Sequence, residues 1–200
     1  EESALDIWMT EILEMMPNES MGTPDIQVSR DEGFDACWTT QQGNVYVGSL
    51  NGGAESYSSV QSGWTMYFVD SVSPTNESTL VDCALAVNED GRQYVLYADG
   101  SNIKSAHIAY QNNVFSELSW QKITIRYDVQ PTDIEMVLLP NQLEFAVFRD
   151  VNGTLWQLNY SGNVWYDSLL DIGPVGHSIE LEMDFNGVAH LLYTADDEVR

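Results

Sequence analysis

From residue 25 onward, apolar and polar residues alternate with a period of two, and short turn sequences interrupt the alternation at regular intervals. Alternation of this kind is typical of β-strands that bury one face. Segment 84–97 has a counterpart in segment 179–193, and weaker copies occupy 36–49 and 134–148. The chain is therefore predicted to be all-β and to repeat one structural unit.

The turn at the centre of each copy gives the period of this repeat. The four turn residues are Gly43, Gly91, Asn141 and Gly187, which lie 48, 50 and 46 residues apart. A repeat of about 45–50 residues that is filled with short strands is typical of β-propeller blades. A β-sandwich is the alternative all-β fold, but it would not require a regular repeat.

We predict three complete four-stranded blades and half of a fourth within a propeller region of residues 25–200. The predicted blades are 34–72, 81–128, 133–171 and 177–200. In the first blade, strands are expected near 34–40, 44–50, 54–60 and 64–70, whereas residues 25–30 are expected to form a lone strand that completes some other blade. Because the last blade stops after two predicted strands, we interpret the chain as a fragment of a longer propeller.

Residues 1–24 follow a different pattern, with apolar side chains at helical spacing. Ser3 and Asp6 form a capping box at the start of this stripe, and Pro17 ends it. The apolar stripe consists of Leu5, Trp8, Met9, Ile12, Leu13 and Met16. This pattern predicts a short N-terminal amphipathic α-helix that either caps the propeller or binds a partner. We favour the cap, because exposed apolar stripes of this size are uncommon.

The charge of the chain is strongly negative, with 31 acidic residues, 7 basic residues and a net charge of −24. Such a field opposes phosphate backbones and anionic lipid headgroups, so neither nucleic-acid binding nor membrane-surface binding is expected. It suits cations and neutral, hydroxyl-rich ligands, although solubility alone would explain it equally well. The chain lacks the run of about 18 apolar residues that a membrane span needs, so membrane insertion is not expected either.

Polar residues recur at the end of the second predicted strand of each blade. They are Asn51, Asp99, Asp150 and Asp196. Equivalent positions of a propeller lie on one face, so these four are the candidate ligand-binding residues, as a partial ring of oxygen atoms. Calcium is a candidate ligand for such a ring, but no motif in the chain requires a cofactor. The alternative is that each residue caps its own turn.

A tryptophan opens the fourth predicted strand of each complete blade, at Trp64, Trp120 and Trp165. Aromatic faces that recur in every repeat would suit a sugar-binding platform, but the same residue is a large wedge for packing one blade against the next. Because the residue recurs in all three blades, we predict that it is structural.

Cys37 and Cys83 lie on adjacent predicted blades with an offset of 46 residues. They are predicted to lie near each other, either as a disulfide bond or as two buried thiols.

No motif for a nucleophilic serine, a phosphate-binding loop or a dinucleotide site is present, and the histidines lack zinc-ligand spacing. His190 occupies a position where the other repeats have tyrosine, which indicates a packing role. Many carboxylates are available, but the sequence singles out no catalytic pair, so enzymatic activity is not the favoured prediction.

The repeats resemble a propeller repeat of marine and environmental bacteria and archaea, in which an Asp-x-Asn-Gly turn is followed by His and Tyr. Gly187, His190 and Tyr193 match its glycine, histidine and tyrosine, and segment 62–65 matches its Gly-Ser-Trp strand. The resemblance covers about residues 34–194, and the third blade departs from it at Asn141, where the glycine is lost. It implies a secreted or cell-surface propeller, usually one with no assigned activity.

Two weaker resemblances concern carbohydrate-binding propellers. Segments 143–148 and 153–156 are similar to lectin-like propellers. Segment 29–33 is similar to the Asp-box of sialidase-type propellers, but Ala36 stands where an aromatic residue is expected, and the arginines show no equivalent of a sialidase site.

Together, these observations predict non-enzymatic binding or adhesion by an extracellular or cell-surface propeller. The expected partner is a glycan, another hydroxyl-rich ligand or a protein surface. A glycoside hydrolase of sialidase-like type and a purely structural repeat of a large surface protein are the two alternatives.

Overall fold

The structure is a computed structural model that describes residues 24–28, 33–40, 42–50, 64–72, 82–108, 120–173, 175–195 and 198–200. These ranges form fifteen β-strands in four antiparallel sheets and contain no helix. The sheets are the blades of a β-propeller, as the sequence predicts. The predicted N-terminal helix, the predicted strand at 54–60, Asn51 and Asp196 lie outside the described residues.

Each sheet is a meander in which consecutive strands pair. The first blade consists of β1 (Asp25–Val28), β2 (Phe34–Thr39), β3 (Asn44–Leu50) and β4 (Trp64–Ser71). The second consists of β5 (Cys83–Val87), β6 (Gln93–Asp99), β7 (Asn102–Ile108) and β8 (Trp120–Arg126). The third consists of β9 (Pro131–Leu138), β10 (Glu144–Asp150), β11 (Leu155–Ser161) and β12 (Val164–Asp171). The fourth consists of β13 (Val175–Met183), β14 (Ala189–Ala195) and the short β15 (Glu198–Val199).

Two of the repeated turns are built from the same local chemistry. Gly91 and Gly187 adopt positive φ angles of 76° and 77°, a conformation that glycine accepts without steric cost. Asn88 and Asp184 precede them, and each side chain accepts hydrogen bonds from two backbone N–H groups of its own turn. The two long copies of the repeat therefore fold into equivalent hairpins between a first and a second strand.

The first blade differs from the prediction in its register. β1 pairs with β2, with Asp25 opposite Cys37, so it is the first strand of this blade. The expectation that residues 25–30 complete some other blade was wrong, and Gly43 lies between the second and third strands. The reason is that a glycine with a positive φ angle serves any tight hairpin, so Gly43 could be aligned with Gly91 without being its equivalent.

The core lies mainly between the blades. A large buried cluster joins the first three blades, and a smaller one joins the third to the fourth. Trp120 and Trp165 are mostly buried and pack against the large cluster, which agrees with the predicted structural role. The side chain of Trp64 lies outside the described residues.

A disulfide bond connects the first two blades. Cys37 on β2 is bonded to Cys83 on β5, with a Cα–Cα distance of 6.3 Å. The predicted proximity is confirmed, and the two cysteines are bridged rather than free. Cys37 lies on the second strand of its blade and Cys83 on the first strand of the next, so the bond joins strands that are not equivalent.

A recurring polar contact links the second strand of one blade to the outer strand of the preceding blade. The hydroxyl group of Tyr97 donates to Asp70 of the preceding blade at 2.8 Å, and that of Tyr193 donates to Asp171 of the preceding blade at 3.0 Å. At the junction of the second and third blades, the equivalent residue is Phe148, which has no hydroxyl group to donate. These tyrosines therefore help to fix the angle between neighbouring blades.

Candidate functional site

The structure describes two of the four predicted ligand-binding residues, and both are engaged within their own blade. Asp99 forms a salt bridge with Lys104 at 2.6 Å. Asp150 accepts hydrogen bonds from the backbone N–H groups of Asn152 and Thr154 at 2.9 and 3.0 Å, and from the indole of Trp156 at 3.3 Å. Asp150 therefore caps its own turn, which is the alternative role that the sequence offers.

Carboxyl groups on the first strands are arranged differently, because they reach from one blade to the next. Asp25 on β1 accepts a hydrogen bond from the backbone N–H of Leu85 at 2.6 Å. Asp82, immediately before β5, accepts one from Ile134 N–H at 3.1 Å, and Asp133 on β9 accepts one from Ile179 N–H at 2.9 Å. Each acceptor lies at the first strand of one blade and each donor in the first strand of the next, so these contacts gather three carboxyl groups around the centre of the propeller.

These three carboxyl groups are buried enough to disfavour their charged forms. Burial raises the pKa of Asp25, Asp82 and Asp133 above the ordinary value for aspartate. Asp82 and Asp133 also form a hydrogen bond with each other, which raises the pKa of Asp82 further and opposes the rise at Asp133. Asp82 and Asp133 therefore share one proton, since two neighbouring carboxylates cannot both be ionised at low cost.

Three glutamates extend this group. Glu135 lies two residues after Asp133 on β9, so both side chains point to the same face of the sheet. Burial, followed by the negative charges of Asp25, Asp133, Asp82 and Glu180, raises the pKa of Glu135 to about 9. Glu180 and Glu182 on β13 are exposed, and the charge of Glu182 also acts on Asp25.

We call this set the central carboxyl cluster, and it comprises Asp25, Asp82, Asp133, Glu135, Glu180 and Glu182. At neutral pH, Glu135 is protonated and is able to donate a hydrogen bond, whereas an ionised carboxylate only accepts. The cluster therefore offers both donors and acceptors from carboxyl groups alone. It is half-buried at Glu135 and open to solvent at the two glutamates of the fourth blade.

The sequence contains a signal for this cluster in its first strands, whereas the predicted site residues lie at the ends of second strands. Residues 133–136 read Asp-Ile-Glu-Met and residues 180–183 read Glu-Leu-Glu-Met, so a carboxyl group occupies every second position of two first strands. Period-two placement puts these groups on one face, which is the pattern expected of strands that surround a common axis.

Other predicted candidates have ordinary structural surroundings. His190 contacts Asp184 of its own hairpin at 3.2 Å, but its side chain is mostly exposed, so the structure does not show the predicted packing role. His107 contacts Gln121 at 3.1 Å, and the side chain of His177 lies outside the described residues. In the described ranges, no group of three or more His, Cys, Asp or Glu side chains is arranged to hold a metal ion. The same ranges form no helix that could span a membrane.

The sequence matches no family model and no curated protein. Solved structures with a similar fold include a triple arginine-to-alanine mutant of AofleA from Arthrobotrys oligospora, with a TM-score of 0.60 and 12% identity over 90% of this chain and 54% of that one. Unmutated AofleA gives a TM-score of 0.57 and 11% identity, over 90% of this chain and 52% of that one. This chain thus spans about half the length of these neighbours.

Two further neighbours have names that refer to carbohydrate chemistry. A bifunctional GH43-CE protein of Bacteroides eggerthii has a TM-score of 0.52 and 10% identity, over 89% of this chain and 23% of that one. A mutant of the Trypanosoma rangeli sialidase that displays trans-sialidase activity has a TM-score of 0.51 and 11% identity, over 88% of this chain and 34% of that one. At these identities, the similarity establishes the β-propeller fold alone.

Proposed function

We propose that this protein binds carbohydrate without chemical turnover and that the ligand sits at the central carboxyl cluster. The observation that carries the proposal is that Glu135, which keeps its proton at neutral pH, lies within the electrostatic influence of the exposed Glu180, in a cluster that also contains the exposed Glu182. Each sugar hydroxyl group both donates and accepts a hydrogen bond, so a surface that offers both roles suits it. A ligand with no net charge also avoids repulsion by a protein of net charge −24.

The cluster divides into a structural part and a part available to a ligand. Asp25, Asp82 and Asp133 use their oxygen atoms to hold the next blade. The three glutamates form no hydrogen bond of this kind with another described residue. We therefore assign ligand contact to Glu135, Glu180 and Glu182. Support by analogy comes from the GH43-CE and sialidase neighbours, whose names refer to carbohydrate chemistry on the same fold.

We also propose that the protein acts outside the cell or at its surface, on a glycan that is free or attached to a protein partner. The disulfide bond between Cys37 and Cys83 supports this location, because such bonds persist mainly in oxidising compartments. The proposed binding requires no cofactor.

The test is a glycan array probed with the fluorescently labelled full chain, with and without calcium, followed by calorimetry on any ligand found. Changing Glu135 to Ala, which removes its donor and acceptor, or Glu180 to Gln, which removes its negative charge, is expected to weaken binding about tenfold, since a hydrogen bond to a charged or buried group contributes about 1.5 kcal/mol or more. Glu198→Gln, at an exposed position of β15, is the matched control and is expected to bind normally. Unchanged affinity in both cluster variants would remove the assignment of the site, and the absence of any ligand would favour a purely structural repeat.

Glycoside hydrolysis is the second candidate, and Glu135 is the specific reason to test it. A carboxylic acid that keeps its proton at neutral pH and lies near another carboxyl group can serve as the general acid of a glycosidase. Release of nitrophenol from a panel of nitrophenyl glycosides would measure it. If Glu135→Gln abolishes nitrophenol release and Glu198→Gln does not, the protein is a hydrolase and the proposal of binding without turnover is wrong.

A further inference from the structure

The first blade has an apolar outer face, which is the face turned away from the second blade. Its side chains are Ile26, Val28, Phe34, Ala36, Trp38, Tyr46, Leu50, Met66 and Phe68, as the strand register shows. Trp38 stacks on Tyr46 with ring centroids 5.8 Å apart, and Tyr46 meets Phe68 edge to face at 5.7 Å. This outer face carries no charged side chain among the residues that the structure describes.

Burial across the outer face is uneven. Ala36 and Trp38 on β2 are 0% exposed, whereas Met66 and Phe68 on β4 are 43% and 53% exposed. Beyond its own sheet, the described element that packs extensively on β2 is β5, and the disulfide bond shows that β5 lies against the opposite face. The described strands therefore do not explain how Trp38 is covered.

The open face of the fourth blade is not a suitable cover. Its β13 and β14 positions opposite the core side are Ser178, Glu180, Glu182, His190, Leu192 and Thr194, of which only Leu192 is apolar. Placing these carboxyl groups against Trp38 and Phe68 would bury charge without a partner, which is strongly unfavourable. The covering segment must be apolar itself.

We propose that residues 5–16 of this same chain cover the outer face of the first blade, with their apolar stripe against Trp38. This inference is independent of the proposed carbohydrate site. On a helix, this sequence would place Trp8, Met9, Ile12 and Leu13 on one side and Asp6, Thr10, Glu11 and Glu14 on the other. An apolar stripe matches the uncharged face, and the acidic side is left in water.

The dimensions of the two surfaces agree. A helix of twelve residues is about 18 Å long, and the six residues of β2 extend about 20 Å. The eight residues 17–24 reach up to about 28 Å before the chain enters β1, which lies beside β2. The segment can therefore lie along the inner strands and leave β4 partly exposed, which is the observed distribution of burial.

Photo-crosslinking in the full chain tests this placement. p-Benzoylphenylalanine in place of Met9 is expected to crosslink to peptides from 34–50 or 64–72, whereas the same group in place of Thr10 on the polar side is not. Mixing isotopically light and heavy chains separates bonds within a chain from bonds between chains. Crosslinks to another blade, crosslinks between chains or no crosslink to the first blade would each overturn the proposal, and bonds between chains would identify a second copy as the cover.

Thermal unfolding gives a second measurement that does not depend on crosslinking chemistry. Ile12→Glu is expected to lower the melting temperature by about 5 °C or more, since a loss of 1 kcal/mol lowers it by roughly 2–4 °C in a chain of this size. Thr10→Glu is the matched control with the same added charge and is expected to change it by less than about 2 °C. Equal effects of the two substitutions would show that the apolar stripe does not pack on the protein.

Discussion

Glu144 lies where the second and third blades meet, and we expect its ionisation to destabilise the protein. It is the first residue of β10, it is 6% exposed, and it accepts a hydrogen bond of 3.4 Å from the hydroxyl group of Ser105 on β7. Burial raises the pKa of Glu144 to about 7, against the opposing effects of Ser105 and Arg92. The preceding junction has Gln93 in this place, where its amide donates to Ser49 at 2.6 Å. The molecule thus contains a neutral side chain at the equivalent position, and its amide also donates to Asp35 at 2.6 Å.

The sign and size of the effect follow from the two pKa values. In the unfolded chain, Glu144 has a pKa near the ordinary 4.5, so the folded protein holds a proton that the unfolded chain releases between pH 4.5 and 7. The stabilisation is complete below about pH 4.5 and is lost as the pH rises through 7. Because each pH unit between the two values contributes about 1.4 kcal/mol, the total loss is about 3 kcal/mol.

Urea denaturation of Glu144→Gln and of the unmodified protein at several pH values between 4.5 and 8.5 measures this effect. The two free energies of unfolding are expected to agree near pH 4.5, and the variant is expected to be more stable by about 3 kcal/mol at pH 8. Glu198→Gln, at an exposed position, is the control and is expected to give a small difference at every pH. A difference for Glu144→Gln that does not change with pH, or a less stable variant at pH 8, would refute the reasoning.

Three further predictions concern stability and the assignment of roles. Replacing Cys37 and Cys83 together by Ala should lower the free energy of unfolding by about 4 kcal/mol, because the bond closes a loop across a separation of 46 residues; an unchanged urea midpoint would contradict this. Asp150→Ala should cost about 2 kcal/mol, since three donors lose their acceptor, and should leave glycan binding unchanged; loss of binding by a folded variant would restore Asp150 as a ligand residue. Trp165→Ala should cost about 3 kcal/mol in thermal unfolding because the side chain packs on the main core; a neutral effect would show that the ring is not structural.

The sequence by itself determined the strands, the repeat and most turns of this protein. Gly91 and Gly187 mark equivalent hairpins because a positive φ angle and an aspartate or asparagine cap depend on only a few consecutive residues. The proximity of Cys37 and Cys83 was also predicted, because strands of adjacent blades lie side by side, but the expected equivalence of their positions was not observed, since Cys37 lies on a second strand and Cys83 on a first strand.

Only the tertiary structure decided which strand opens the first blade and which polar residues meet. Gly43 satisfies the local rule for a hairpin, but the pairing of β1 with β2 is a contact between segments that local rules do not specify. Asp150 looked like a ligand residue and caps its turn, whereas Glu135 resembled any surface glutamate in the sequence. The raised pKa of Glu135 arises from burial and from carboxyl groups that include Asp25, Asp82 and Glu180 of the three other blades, which are brought together only when the blades pack around one axis.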